Sequence, residues 1–160
     1  MPFVTFSDGQ YRVGQDIHAG TYRLRAQPSS CYWEREKDFN GGVDSILAND
    51  NTASYAVVTI LPSDAGFMSR GCGTWSADLS AVISGPTFSD GQYIVGTDVK
   101  PGRYRSSGNA GCYWEREKDF TGAGSNAIIA NNNTDTPAIV TIAASDKGFK
   151  ASNCGTWTRG

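Results

Sequence analysis

The side chains best suited to chemistry or binding lie in a nine-residue segment that occurs twice. Cys-Tyr-Trp-Glu-Arg-Glu-Lys-Asp-Phe runs from Cys31 to Phe39 and again, unchanged, from Cys112 to Phe120. As a β-strand, the segment would place its Cys, Trp, Arg, Lys and Phe on one face, which suits a core, with the Arg and Lys charges reaching water from its rim. The opposite face would be an acidic surface with a tyrosine in each copy. Its predicted binding residues are Tyr32, Glu34, Glu36, Tyr113, Glu115 and Glu117.

A binding role for that face competes with a plainer interpretation, in which the strand is well packed and its outer face is simply solvated. A catalytic role is less well supported. Glu34 and Glu36 lie on an open strand face, whereas a glycosidase needs two opposed carboxylates in a groove. The only histidine, His18, is replaced by Lys100 in the second copy, so no Cys–His or Ser–His pair exists in both copies. We therefore predict that the protein is not an enzyme and has no catalytic residues.

Metal and cofactor sites are also weakly indicated. The sequence Asn49-Asp50-Asn51 becomes Asn131-Asn132-Asn133 in the second copy, which removes the carboxylate that a Ca²⁺ site would require. A zinc site of four thiolates would have to bridge the copies, because the sequence contains no Cys-x-x-Cys. The asparagines are instead predicted to lie in loops, where Asn tolerates a positive φ. We expect no metal and no cofactor.

The repeated segment is part of a duplication that covers the chain. Phe6-Ser-Asp-Gly-Gln-Tyr returns from Phe88 onward, and Cys72-Gly-Thr-Trp returns from Cys154 onward, in both cases 82 residues later. Each copy has about 70 residues, near the lower size limit for a domain that folds around its own core. The duplication therefore predicts two small domains.

Each copy reads as a series of short strands. Gly is abundant, and no window places apolar residues at helical spacing over three turns. Turn residues recur about every eight to twelve positions. The predicted fold class is all-β, with two tandem small antiparallel β-sandwich or barrel domains, each with one internal disulfide. We place the domains at residues 1–78 and 88–160, with a linker at 79–87.

Each copy contains two cysteines, separated by 41 residues in the first copy and by 42 in the second. Four cysteines allow three pairings. Pairing within each copy, Cys31 with Cys72 and Cys112 with Cys154, is favoured because each copy must fold as a unit and both keep the same two positions. Disulfides are typical of environments outside the cytoplasm.

The four tryptophans discriminate between functions, because a sugar-binding platform needs exposed indoles and a core does not. We predict that three or all four are substantially buried: Trp33, Trp75, Trp114 and Trp157.

Charge and hydropathy exclude other classes. A net charge of −2 and a pI near 5.3 provide no basic face for a phosphate backbone, which argues against nucleic acid as a partner. No apolar run is long enough to span a membrane. The N-terminal Met-Pro-Phe-Val-Thr-Phe has neither a charged region nor a continuous apolar region, so no secretory signal is expected.

The motifs resemble a known family. The pattern Asp-Gly-x-Tyr-x-Val-Gly-x-Asp-Ile/Val-x-x-Gly-x-Tyr-Arg, followed by Cys-Tyr-Trp-Glu-Arg, Val-Thr-Ile and Cys-Gly-Thr-Trp, is present in both copies. It is similar to a β-sandwich module of cell-surface proteins and lipoproteins of Gram-positive bacteria, particularly actinobacteria, and of virion proteins of their phages. The resemblance covers Phe6 to Trp75 and Phe88 to Trp157, and it implies fold and location rather than chemistry.

Because no secretory signal is expected, we predict a non-catalytic virion protein of a phage that infects actinobacteria, a capsid decoration or tail accessory protein acting as a duplicated binding module. Its partners would be other virion proteins, and this role is compatible with an oligomer within the particle. The alternative is a secreted cell-wall or carbohydrate-binding module, located outside the cell or at its surface, whose partner would be a bacterial cell-wall polymer.

Overall fold

The computed structural model describes residues 2–160, which form strands and short 3₁₀ turns and contain no α-helix. Met1, the first residue of the predicted first domain, lies outside the described residues. The predicted all-β class is therefore confirmed.

Eight strands lie in the first repeat and seven in the second, counted over residues 2–160. Those of the first repeat are β1 (Thr5–Phe6), β2 (Gly9–Arg12), β3 (Gly20–Leu24), β4 (Cys31–Glu36), β5 (Ile46–Thr52), β6 (Val57–Ile60), β7 (Gly66–Arg70) and β8 (Trp75–Ser76). Those of the second are β9 (Gly91–Ile94), β10 (Gly102–Ser106), β11 (Cys112–Glu117), β12 (Ile128–Thr134), β13 (Ile139–Ile142), β14 (Gly148–Ser152) and β15 (Trp157–Arg159). A 3₁₀ turn precedes β5 at Val43–Ser45 and β12 at Gly124–Asn126.

The chain divides into two compact units whose boundaries differ from those of the repeats. The first unit extends to Leu79 and also includes Phe120–Asn126. The second unit consists of Ser80–Asp119 and Ala127–Gly160. A short piece of the second repeat is therefore part of the first unit.

The first unit is a β-sandwich of two antiparallel four-stranded sheets, in the orders β1-β8-β3-β6 and β2-β7-β4-β5. Apolar side chains of both sheets form one core. Phe67 of the second sheet links the layers, because its ring centroid lies 5.9 Å from that of Phe6 and 5.6 Å from that of Trp75. Branched side chains in β6, which suit a pleated and buried surface, complete this core.

The second unit has the same construction, with sheets in the orders β13-β10-β15 and β12-β11-β14-β9. Phe149 lies between the layers, 5.3 Å from Trp157 and 6.4 Å from Trp114 between ring centroids. Trp33, Trp75 and Trp157 are buried and Trp114 is half-buried, so the prediction that at least three tryptophans are buried is confirmed.

Both predicted disulfides are confirmed. Cys31 is bonded to Cys72 with an S–S distance of 1.99 Å, and Cys112 to Cys154 with one of 2.06 Å. Gly71 has a φ of 71°, and a Cβ at this position would collide with the carbonyl oxygen of Ser30, so the first unit requires glycine here.

The central strand is shorter than predicted. A register shift between Arg35 and Glu36 interrupts its pairing with β5, and the strand ends at Glu36 instead of continuing to Phe39. The core-facing position predicted for Phe39 is wrong, because its side chain is 49% exposed.

Arg35 also differs from its prediction, since its charge does not reach water. Its guanidinium is buried and forms a two-pronged ion pair with Asp64, with Nε–Oδ2 and Nη2–Oδ1 distances of 2.7 and 2.8 Å. The carboxylate of Asp64 also accepts a hydrogen bond from the backbone N–H of Leu61. Arg35 can occupy this core position because the carboxylate of Asp64 compensates its charge there.

The asparagine segments are strands, and their predicted loop positions are wrong. Asn49 and Asn51 lie in β5, and their counterparts lie in β12. Among the described residues other than glycine, Asn153 alone has a positive φ, of 59°, at the position that corresponds to Gly71. An asparagine with a positive φ, a conformation that Asn adopts more readily than most residues, therefore lies beside the second disulfide and not in the predicted segments.

Candidate functional site

The outer face of β4 and β5 carries three hydrogen-bonded side chains, Tyr32 and Glu34 of β4 and Asn49 of β5, which form the Tyr32 cluster. The hydroxyl of Tyr32 donates to Oε1 of Glu34 over 3.2 Å and accepts from Nδ2 of Asn49 over 3.2 Å. Glu34 and Asn49 can both reach this hydroxyl because they are opposite each other in the pairing of β4 with β5. The guanidinium carbon of Arg70 lies 4.9 Å from the centroid of the Tyr32 ring. The ring is therefore held by two hydrogen bonds and a cation–π contact.

The second unit contains the same arrangement, the Tyr113 cluster, formed by Tyr113, Glu115 and Asn131. The hydroxyl of Tyr113 donates to Oε1 of Glu115 over 2.9 Å and accepts from Nδ2 of Asn131 over 3.1 Å. Burial raises the pKa of Tyr113, and the nearby charge of Glu115 raises it further. The phenol therefore keeps the proton that it donates to Glu115.

The two clusters differ in the residue that faces the glutamate from the neighbouring strand. Met68 of β7 is opposite Glu34, and Lys150 of β14 is opposite Glu115. Residues in opposite positions share a face of the sheet. The clusters therefore share their hydrogen-bonding groups and differ in the position of the cation, which is Arg70 over the Tyr32 ring in the first and Lys150 opposite Glu115 in the second.

Glu36 and Glu117 do not lie on the open surface predicted for them, because both side chains are buried. Glu36 accepts a hydrogen bond from Nε2 of Gln10 over 2.9 Å. Both carboxylate oxygens of Glu117 accept from Nε2 of Gln92, over 3.2 and 3.0 Å. Of the six predicted binding residues, the structure thus gathers Tyr32, Glu34, Tyr113 and Glu115 into the clusters, while the other two glutamates are buried and bound by glutamines.

Burial raises the pKa of Glu117 well above its ordinary value, and the charge of Glu115 raises it further. Burial also raises the pKa of Glu36, despite the hydrogen bond from Gln10. A carboxyl group whose pKa is higher in the folded protein binds its proton more tightly there than in the unfolded chain. The unfolding free energy should therefore decrease as the pH rises from the unfolded-state pKa, about 4.3 for Glu, to the higher folded-state value.

The substitution Glu117→Gln is expected to raise the unfolding free energy at pH 7, because the wild-type carboxyl group must either bury its charge or take up a proton on folding, whereas the amide does neither and can donate to Glu115. The gain should diminish toward about pH 4, where the wild-type carboxyl group is already protonated. Thermal denaturation across this pH range measures the difference. Glu36→Gln is the matched control and should give a smaller gain with the same sign. A gain for Glu117→Gln that is independent of pH would contradict the assignment.

The groups of the clusters suit the recognition of a ligand that carries hydroxyl groups. A tyrosine ring offers a flat apolar surface, and the amide and carboxylate beside it offer hydrogen bonds to hydroxyl groups. Hydrolysis of a glycoside would need a second carboxylate facing Glu34 across a groove. Glu36, the nearest candidate in the sequence, is buried and engaged by Gln10.

Two depressions provide a comparison with the clusters. One of about 670 Å³ in the first unit is lined by residues 25–29 and 71–74, and one of about 570 Å³ in the second unit by residues 83–86 and 97–100. These linings come from parts of the repeats that do not correspond. These two depressions are therefore not two copies of one site, whereas the clusters are.

Sequence reasoning did not identify Asn49 and Asn131 as members of the site. Both were expected in loops, although the alternation of the preceding apolar residues continues through them. Extending that alternation places Asn49 on the same face as Leu47, the outer face of β5. The signal was therefore present in the sequence.

No group of three or more His, Cys, Asp or Glu side chains within residues 2–160 is arranged to hold a metal ion. In the same part of the chain, no helix has the length and apolar character needed to cross a membrane.

Comparison with known proteins gives one family. A family model described as an Rv1352-like extracellular domain matches residues 4–76 and, a second time, residues 85–158. Searches of curated proteins and of solved structures found no match. The match supports the predicted duplication and the extracellular alternative for location, and it gives no support to the virion interpretation.

Proposed function

The chain belongs to the family of Rv1352-like extracellular domains, which it contains in two copies, and from this membership we propose that it is a binding module that acts outside the cell and attaches to a carbohydrate polymer of a bacterial cell wall. The binding surfaces in this proposal are the Tyr32 and Tyr113 clusters. The protein attaches to its target and converts no substrate.

One observation carries the proposal: three side chains make the same hydrogen bonds in both units. A polymer presents the same chemical group many times, so two linked sites can bind it together. Linked sites raise the overall affinity by about 10²- to 10⁴-fold without any new contact. Two weak clusters are then sufficient for stable attachment.

The side chains of the clusters favour a polyhydroxylated ligand. Trp33, Trp75 and Trp157 are buried, so their indoles cannot form a platform for sugars. The rings of Tyr32 and Tyr113 are half-buried, and each has an amide and a carboxylate within hydrogen-bonding distance of its hydroxyl. Sugar hydroxyl groups both donate and accept hydrogen bonds, which matches this mixture of groups.

Co-sedimentation with insoluble cell-wall material tests the proposal. The wild-type chain is expected to sediment with walls, and the chain carrying Tyr32→Ala and Tyr113→Ala is expected to stay in solution, because both aromatic surfaces are lost. The matched control replaces both tyrosines with phenylalanine, which keeps the rings and removes the hydroxyls. Its binding should be intermediate.

Phage particles that lack the protein are the competing target. Sedimentation with such particles and not with walls would contradict the proposal and revive the virion interpretation. Sedimentation of the double alanine variant with walls at the wild-type level would exclude the clusters as the binding surface.

A further inference from the structure

We infer that the second unit binds the loop Phe39–Gly41 of a second copy of this chain, as the first unit holds Phe120–Gly122. This interaction is separate from the Tyr32 and Tyr113 clusters. It follows from three observations. A loop fills a cleft of the first unit, and the corresponding cleft of the second unit is open. The equivalent loop of the first repeat, Phe39–Gly41, faces open space at Gly41.

The filled cleft lies between β5 and β6, which are the edge strands of the two sheets of the first unit. The carbonyl oxygen of Phe120 accepts a hydrogen bond from the backbone N–H of Thr59 over 2.8 Å, which extends the edge of β6. The carbonyl oxygen of Thr121 accepts from Nη1 of Arg35 over 2.6 Å. The loop therefore supplies acceptors to an edge strand and to a buried cation.

Gly122 lets the loop approach the core. A Cβ at this position would lie 2.8 Å from the ring of Trp33 and 3.4 Å from the Cβ of Ala48. Any other residue would force the loop or the indole to move. Gly122 also has a φ of 70°, which favours glycine in its own right.

The corresponding cleft of the second unit lies between the edge strands β12 and β13. Ile139 at its rim is 59% exposed, whereas Val57, at the corresponding position of the first unit, is 1% exposed. Trp114 is half-buried there, whereas Trp33 is buried. β13 is therefore an uncovered edge strand with apolar surface beside it, and the backbone groups of such an edge can pair with another chain.

One nitrogen of the Arg116 guanidinium, Nη1, is available to a ligand. Its Nε and Nη2 donate to Asp146 over 2.7 and 2.9 Å, as the same atoms of Arg35 do to Asp64. Within the described residues, Nη1 of Arg116 has no counterpart of the carbonyl that Arg35 binds. The Arg116 side chain is 23% exposed, compared with 4% for Arg35.

The loop of the first repeat has the structure that fits this cleft. Phe39 and Gly41 correspond to Phe120 and Gly122, and Gly41 has a positive φ of 85°. A Cβ on Gly41 would meet no atom of the described residues within 4 Å, so this glycine faces open space. Asn40 replaces Thr121, and the change is tolerated because the contact with the arginine is made by the backbone carbonyl. A second copy of the chain therefore offers the matching loop.

The interaction is head-to-tail, since the loop of one copy occupies the cleft of the next. Such contacts form open chains or close into rings, the smallest of which has two members. A loop of this length buries a small area, so a weak and concentration-dependent association is expected.

Sedimentation equilibrium with two complementary variants tests the inference. Gly41→Asn prevents the loop from entering the cleft. Asn tolerates the positive φ, so the loop keeps its conformation, but its Cβ would occupy the space of the partner's Trp114. Thr141→Pro prevents the cleft from binding the loop, because it removes the backbone N–H that corresponds to the Thr59 donor. Proline is tolerated on edge strands, so the fold should be kept. Each variant alone is expected to associate at least about tenfold more weakly than wild type. An equimolar mixture is expected to form a 1:1 complex through its one intact loop and one intact cleft.

Matched controls separate the contact from general effects of substitution. Thr141→Ala keeps the backbone N–H, and Gly42→Asn adds the same side chain one residue away at a φ of −92°. Both are expected to associate like wild type. If Thr141→Pro does not fold, Ile139→Lys at the exposed rim replaces it in the mixture. A monomeric wild type, single variants that associate like wild type, or a mixture that stays monomeric would each overturn the inference.

Discussion

Reduction of the disulfides is expected to lower the unfolding free energy by about 4 kcal/mol in each unit, as estimated from the loop-closure entropy of the unfolded chain. The bridges close loops with sequence separations of 41 and 42 residues. Domains of this size have total stabilities of only about 5 to 15 kcal/mol. The loss therefore corresponds to a fall of roughly 15 to 30 °C in the melting temperature. Differential scanning calorimetry with and without reductant measures it.

Paired substitutions separate the two bridges. Cys31→Ala with Cys72→Ala removes the first, and Cys112→Ala with Cys154→Ala removes the second. Each pair should cost about 4 kcal/mol, and the two losses should add because the sites share no partners. A melting transition that is unchanged after complete reduction would show that the bridges do not stabilise the fold.

Asp64→Asn is expected to destabilise the first unit by about 3 to 5 kcal/mol, because it leaves the buried charge of Arg35 without its anion. The side chains of Arg35 and Asp64 are only 4% and 1% exposed, so water cannot replace the lost partner. The Asn side chain has nearly the same shape as Asp, so the loss reports the charge rather than a cavity. Chemical denaturation of the full chain measures it.

The second unit provides the matched control, Asp146→Asn. The geometry of the ion pair is the same, but Arg116 is 23% exposed and can be partly solvated after the substitution. Its loss should therefore be smaller than that of Asp64→Asn. Equal losses, or a larger loss for Asp146→Asn, would contradict the role assigned to burial.

The duplication made much of the fold predictable. Two copies that keep Cys31 and Cys72 in equivalent positions indicated the pairing, and alternation indicated that Trp33 faces the core. Each of these inferences depends on strand periodicity and matched spacing, which are local properties of the sequence. The structure confirms the all-β class, both disulfides and the burial of at least three tryptophans.

The errors have a common physical cause, since they depend on partners far away in the sequence. Arg35 is buried because Asp64 lies opposite it, and Asn49 lies in a strand because β4 pairs with it. Phe39 leaves the core face because the register shifts before Glu36. The insertion of Phe120–Asn126 into the first unit also has no local signature, because the same loop in the first repeat faces open space at Gly41.

The candidate site was predicted in part. Tyr32 and Glu34, with their counterparts Tyr113 and Glu115, followed from alternation along the central strand. The burial of Glu36 did not, because it depends on the register shift and on Gln10 of another strand. The participation of these residues in binding stays a prediction.

Binding isotherms of four chains to one cell-wall preparation test most directly whether the two clusters act together. The chains are the wild type, Tyr32→Ala, Tyr113→Ala and the double variant. Each single variant is expected to bind about 10²- to 10⁴-fold more weakly than wild type, because it loses the gain from linkage, and the double variant should bind more weakly still. Single variants that bind as tightly as the wild type would contradict a function based on two linked sites.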